Sequence, residues 1–263
     1  DTVTDVADPR PLPRLHVDEP TLSMTFGVNT SPLSGRDGRF LTSRQIKARL
    51  EREVLGNVSI EVAPTASPET FEVRGRGELQ LAVLIEQMRR EGFELQVSRP
   101  EVLLREVNGE THEPYERITI DIPPEHIGAI TTSLAARKAR VQQMTSDADG
   151  RVRLEAVIPT RGLVGYRGQF LTETRGTGLL HQIGEGYGPF AGEVEHRTNG
   201  VLVSDRIGTS NAYGLFNLQE RATMYIGSGV EVYEGMIVGL NSRAGDMDVN
   251  PTKEKKLTNM RQS

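Results

Sequence analysis

Near the end of the sequence, Lys253, Lys255, Lys256 and Arg261 gather in a polar stretch with no apolar pattern to position them, and Arg243 and Asn250 precede them. Closely spaced cations on a loop are most often a solvated surface, but they are also how a protein reaches the phosphates of a nucleic-acid backbone. The loop carries no aromatic residue, so it suits phosphate and 2′-hydroxyl contact rather than base stacking. A second set begins at Arg137, Lys138 and Arg140, which close a helical pattern; Arg151, Arg153, Arg161, Arg167 and Arg175 follow. The helix dipole already accounts for cations at a helix C-terminus. Should the fold bring Arg137, Lys138, Arg140, Arg161, Arg167 and Arg175 to one face, phosphate contact explains them equally well. Arg44, Lys47, Arg49 and Arg52 line an earlier helix but are diluted by Glu51 and Glu53, and Arg89 and Arg90 end another.

No catalytic constellation stands beside these cations. The phosphate-cradling pattern G-x-x-x-x-G-K-[ST] does not occur. A D-x-x-G pattern occurs twice, at Asp205–Gly208 and at Asp147–Gly150, and without a phosphate loop it carries no weight. His16, His112, His126, His181 and His196 are scattered, with no H-x-x-x-H spacing for zinc. A G-x-S-x-G nucleophile turn is missing. With no Cys, thiol catalysis, disulfides and thiolate metal sites are excluded, which fits a reducing cytosol. The expected catalytic, metal and cofactor sets are therefore empty.

The elements that must hold the cations can be read from periodicity. The 263 residues suggest two or three domains. A net charge of −5, from 31 Lys and Arg against 36 Asp and Glu, argues against bulk electrostatic binding to nucleic acid and leaves local basic faces open. No apolar run reaches the length of a membrane span. Residues 1–20 carry Pro9, Pro11, Pro13 and Pro20 and read as an extended connector. Leu22–Val28 alternates as a strand, Thr42 and Gln45 form a capping box for a helix, and two strands follow within 57–62 and 71–74. Glu78–Glu91 is an amphipathic helix stopped by Gly92, and Phe93–Val97 closes the unit as a strand. Residues 101–107, 117–122, 141–144, 152–158 and 178–183 read as further strands, with helices from Pro124 and over 163–174. The order β-α-β-β-α-β thus occurs twice, the ferredoxin-like or split-βαβ arrangement. From residue 184 the short apolar runs 201–203, 212–218, 222–226 and 236–240 read as an all-β unit. The fold class expected is α+β, two tandem ferredoxin-like domains followed by a β-rich one.

Several blocks resemble known sequences. Val73-Arg74-Gly75-Arg76-Gly77-Glu78-Leu79-Gln80-Leu81, running on to Met88-Arg89-Arg90-Glu91-Gly92-Phe93-Glu94, is similar to domain III of translational GTPases such as elongation factor G. Val28-Asn29-Thr30-Ser31-Pro32-Leu33, Pro159-Thr160-Arg161-Gly162-Leu163-Val164-Gly165-Tyr166-Arg167, Thr174-Arg175-Gly176-Thr177-Gly178, Val232-Tyr233-Glu234-Gly235 and Lys255-Lys256-Leu257-Thr258-Asn259-Met260-Arg261 narrow the resemblance to the TypA/BipA family of ribosome-associated GTPases. Gln80 departs from a block in which His is common. The resemblance implies a linker from domain II at 1–17, a domain III at 18–98, a domain V at 99–184 and a family-specific C-terminal domain at 185–263. It implies that a GTPase domain with its GTP and Mg lies upstream, and that the last domain continues beyond Ser263. It further implies a cytoplasmic factor acting in stress adaptation and large-subunit assembly; the sequence gives no basis for an oligomer, and a monomer is expected. Such a factor binds ribosomal RNA and proteins, with Lys253, Lys255, Lys256, Arg261, Arg243 and Asn250 toward the A-site tRNA acceptor end. The alternative from another class is a tandem ferredoxin-like module for small-molecule regulation or dimerisation. A translocase fragment is disfavoured, because the gap between 98 and 115 is too short for a further domain.

Overall fold

The computed structural model describes residues 4–10, 19–147, 150–194 and 199–255. The chain divides into two compact units, Asp1–Val194 and Glu195–Ser263. No helix among the described residues is long and apolar enough to cross a membrane.

The first unit holds two sheets. Strand β1 (Leu22–Val28), helix α1 (Ser43–Gly56), β2 (Glu61–Pro64), β3 (Thr70–Gly75), α2 (Glu78–Glu91) and β4 (Leu95–Val97) form an antiparallel sheet of order β2-β3-β1-β4. The capping box is present: Thr42 Oγ1 accepts from the Gln45 N–H, and Gln45 Oε1 accepts from the Thr42 N–H at 3.0 Å. The pattern at i, i+4 buries Ile46 and Leu50, while α2 buries Leu81, Leu84 and Met88 against the same sheet. Arg49, read as part of a basic helix face, is buried instead. It bonds Glu53 at 2.9 Å and Glu91 at 2.6 and 2.9 Å, tying α1 to the end of α2. Gly92 closes α2 in the left-handed conformation, as a C-cap requires. A short β5 (Glu101–Val102) still pairs with β1, so this sheet reaches past residue 98.

The second sheet repeats the order. The elements are β6 (Arg105–Val107), β7 (Glu110–Ile122), α3 (Ile127–Ala136), β8 (Arg140–Ser146), β9 (Val152–Pro159), α4 (Thr160–Leu163), α5 (Tyr166–Glu173) and β10 (Leu179–Pro189). Its order is β10-β7-β9-β8, with β6 hairpinned onto β7 through Asn108-Gly109, both at positive φ. Ile118, Ile120 and Ile122 alternate inward with Leu154, Ala156 and Ile158 against Ile130, Leu134, Tyr166 and Phe170. Each fully buried aliphatic side chain of this kind contributes about 1.5–3 kcal/mol. The helix read over 163–174 is α5, which begins only at Tyr166; Gly165 at φ 70° separates it from the short α4 before it. Strand β10 continues past residue 184 to Pro189.

A buried ion pair closes this sheet at its lower end. Arg161, read as a phosphate-facing cation, lies inside the protein at 8% exposure, stacked 4.4 Å from the Phe190 ring centroid. Its bonds are internal: Nε and Nη2 donate to Glu113, the latter at 3.0 Å, and Nη2 also donates to the Gly192 carbonyl. Glu113 accepts in addition from the Ala191 N–H at 2.7 Å.

The second unit carries β11 (Val201–Ser204), β12 (Gly208–Thr209), α6 (Ala212–Gln219), β13 (Ala222–Met224), β14 (Glu231–Val232), β15 (Ile237–Asn241) and β16 (Met247–Val249). One sheet has the order β13-β15-β11-β16, and β12 pairs with β14. Leu202, Ala222, Val232, Val238 and Val249 form its core. The run 212–218 is helix rather than strand. Asn211 caps it, accepting from the Gly214 N–H at 2.9 Å.

Two predictions follow from the packing of the first unit. Arg161→Met leaves the Glu113 carboxylate buried without its cation and should lower unfolding free energy by about 3 kcal/mol or more. Urea melts should show much of that loss recovered in Arg161→Met/Glu113→Leu. Glu94 is caged by the N–H groups of Gly35, Gly38 and Asp37 and by the Asn29 amide, at 2.7–3.2 Å. The Gly35 N–H, and then these other donors, hold its carboxyl below the usual value of 4.5. Its stabilisation is complete above the unfolded value and is lost as pH falls through the lower folded one. Glu94→Gln should therefore flatten the acid limb of stability measured by urea melts from about pH 5 downward.

Candidate nucleic-acid interface

The basic loop leaves the second unit from a fixed root. Asn250, expected as a contacting residue, is turned inward: its Oδ1 accepts from the Thr252 N–H at 2.9 Å and from Thr252 Oγ1 at 2.8 Å. The Asn211 N–H donates to the Pro251 carbonyl at 3.1 Å, and Asn211 Nδ2 donates to the Thr252 carbonyl at 2.9 Å. Asn211 therefore caps α6 and clamps residues 251–252 together. Gly214 lets the two segments touch. A Cβ there would lie 2.6 Å from the Pro251 carbonyl oxygen and 3.2 Å from the Lys253 nitrogen. Beyond this root, Lys253 and Lys255 are exposed. Lys256 and Arg261 lie outside the described residues. Arg243 is exposed on a separate turn, whose carbonyl accepts from the Gly200 N–H at 2.8 Å.

Neither Asn211 nor Gly214 was singled out from the sequence. The signal was available, since Asn followed by Ala-Tyr-Gly-Leu is a capping pattern, but the strand reading of 212–218 hid it. Also unforeseen are Tyr213 and Phe216, 38% and 65% exposed on α6. Their i, i+3 spacing puts both rings on one helix face, supplying stacking surface that the loop itself lacks.

The cations of the first unit separate into two kinds. Arg161 is buried in its pair with Glu113. Arg137 is half-buried and committed: Nη1 donates to the Gly162 carbonyl at 2.6 Å, Nη2 to Gln169 at 2.9 Å, and the guanidinium stacks 4.9 Å from the Tyr166 ring centroid. Burial lowers the Arg137 pKa below the usual arginine value, against the pull of Tyr166 and Glu173. These two arginines fasten α4 and cannot also face a phosphate. Lys138, Arg140, Arg167 and Arg175 are exposed, Arg140 lying 5.6 Å from the Tyr115 ring centroid. Arg151 and Arg153 both turn to Asp121, at 2.6 and 3.4 Å. In the D-x-x-G run at Asp205, the carboxylate forms a two-pronged pair with Arg206 at 2.8 Å.

Comparison with known proteins matches this division of the chain. Residues 199–263 match the family model described as TypA/BipA C-terminal domain, and residues 110–198 match that of the elongation factor G C-terminus. The protein named large ribosomal subunit assembly factor BipA is 51% identical in Haemophilus influenzae and 52% in Escherichia coli strain K12. The protein of that name in Buchnera aphidicola is 47% identical. Each match covers all of this chain, which spans 43–44% of the relatives' own length. With about half of its aligned residues identical over its whole length, and with the C-terminal family model matched, the chain corresponds to the C-terminal part of TypA/BipA-family proteins.

Proposed function

We propose that this chain is the ribosome-recognition part of a TypA/BipA-type translational GTPase acting in assembly of the large ribosomal subunit in the cytoplasm. The observation that carries the reading is the braced root of the basic loop. Asn211, Gly214 and Asn250 fix where residues 251–252 lie, so Lys253 and Lys255 leave the surface at a defined point. A cation held at a defined point loses less freedom on meeting a phosphate than one on a free chain. The relatives named as large-subunit assembly factors support a ribosomal partner. On this reading the loop meets the A-site tRNA acceptor end, and Lys138, Arg140, Arg167 and Arg175 meet ribosomal RNA. Tyr213 and Phe216 offer their rings to unstacked bases. GTP hydrolysis belongs to a domain outside this sequence, and this chain's part is to position it.

Co-sedimentation with purified large subunits across a salt series tests the reading. Each phosphate contact contributes about 0.7–0.9 to the slope of log affinity against log salt. Replacing Lys253, Lys255, Lys256 and Arg261 with Ala should therefore weaken binding and flatten the slope, with thermal stability unchanged. Equal affinity and slope in the two proteins would make the loop a solvated surface.

Gly214→Ala removes no charge but pushes the added methyl into the Pro251 carbonyl. It should weaken large-subunit binding and speed tryptic cleavage after Lys253 and Lys255. Unchanged binding and unchanged cleavage would show that the root does not aim the loop.

A further inference from the structure

Two glutamates on β7 are buried, and they are treated differently. Glu113 has a guanidinium and a backbone N–H for its carboxylate oxygens. Glu116, 8% exposed, has no ion pair among the described residues. Burial pushes its carboxyl up from the ordinary value; the Thr160 hydroxyl and then Arg76 act against this, and Glu78 adds to it. Beside Glu116 lies Thr160, 3% exposed; its Oγ1 is close enough to lower the Glu116 carboxyl but meets no partner at full hydrogen-bonding geometry. A buried carboxyl with no ion pair, beside a hydroxyl that meets it only imperfectly, costs free energy that a better-placed donor would recover.

Both line a cleft of about 500 Å³ within the first unit, between the start of α2 and the α4–α5 corner. This is the size range of small-molecule sites, which pair an apolar lining with a few polar groups. Leu79 and Ala82 form one wall, and Leu163 and Val164 the other. Leu79 stands at 72% exposure, an apolar side chain kept in water at the rim. One end is latched, since Glu78 accepts from the Gly165 N–H at 2.8 Å. Gly165 holds φ 70°, a conformation that aims this N–H away from the helix and that other residues rarely adopt.

We propose that this cleft binds a small amphipathic amine, its ammonium group between Glu116 and Thr160 and its apolar body on Leu79, Leu163 and Val164. The ammonium supplies the cation that Glu116 lacks and a donor to the Thr160 hydroxyl oxygen. Arg167 also lines the cleft, so a second cationic group on the ligand is repelled and a monoamine is selected over a polyamine. Because the walls come from both split-βαβ sheets of the unit, an occupant fixes the angle between them. The cleft lies within the first unit, and the proposal stands whether or not the basic loop of the second unit binds RNA.

The test uses the whole chain and 2-phenylethylamine, with 2-phenylethanol as the neutral isostere, read by amide chemical shifts in NMR titration. The amine should shift the amides of Leu79, Ala82 and Gly165 with a dissociation constant of about 1 mM, as expected of a ligand this small. The alcohol should bind about tenfold more weakly, the difference a charged hydrogen bond makes. Glu116→Gln should weaken the amine about tenfold and leave the alcohol unchanged. Ala82→Phe, at an exposed helix position, fills the cleft and should abolish both while thermal stability stays the same; it keeps the test intact should Glu116→Gln fail to fold. Absence of shifts at these amides, equal affinity for amine and alcohol, or binding that survives Ala82→Phe would each overturn the proposal.

Discussion

The pairing of Arg161 with Glu113 is the constraint on which the lower end of the second sheet depends. It joins three segments distant in sequence: the start of β7, the short helix α4 and the chain leaving β10 at Ala191 and Gly192. Strand β7 is the spine of this sheet, pairing with β6, β9 and β10. A charge at the root of that spine tolerates no partial solution. With both carboxylate oxygens bonded, the pair fixes α4 against the sheet; with one member lost, the other is stranded away from water. The placement of α4 in turn sets the Gly162 carbonyl that Arg137 bonds and the wall on which Leu163 and Val164 sit.

A common logic separates the cations that build from those that remain available. Arg49, Arg137 and Arg161 each spend a planar fork on two or more fixed acceptors and are buried or half-buried in doing so. Lys138, Lys253 and Lys255 stay at the surface. A guanidinium offers several donors in a rigid plane and is weakly hydrated, whereas an ammonium is compact and strongly hydrated. Counting basic residues along a sequence merges these two populations. Only the partners, which lie tens of residues away, divide them.

Much of the fold was legible because its signals are local. The capping box at Thr42 and Gln45, the alternating isoleucines of β7 and the Asn108-Gly109 turn need no distant information. The strand order was implied by the repeated element order, and both sheets have it. What escaped were features decided by one local bond or by long-range pairing. Helix α6 was read as a strand because it is a short apolar run in a Gly- and turn-rich region, although its apolar spacing is helical and Asn211 caps it. Arg161 was assigned to a phosphate-facing surface because Glu113, 48 positions earlier, gives no sign in sequence that it is its partner. For the candidate interface, the sequence supplied the cations of the loop but not its root, since Gly214 matters only through a carbonyl that the fold brings beside it.

Strand β8 carries a different consequence. It ends its sheet, all seven of its residues are exposed, and Val141 and Met144 stand at 47% and 45% exposure. An open edge with apolar side chains is a template for another copy of the chain. The irregularity between Val141 and Gln143 interrupts the ladder repeat that a second strand would need, and Arg140 puts a charge at the entrance. Colloidal solubility, rather than fold stability, is therefore what this bulge protects. Straightening β8 would show first as light scattering at high concentration, with the melting temperature still intact.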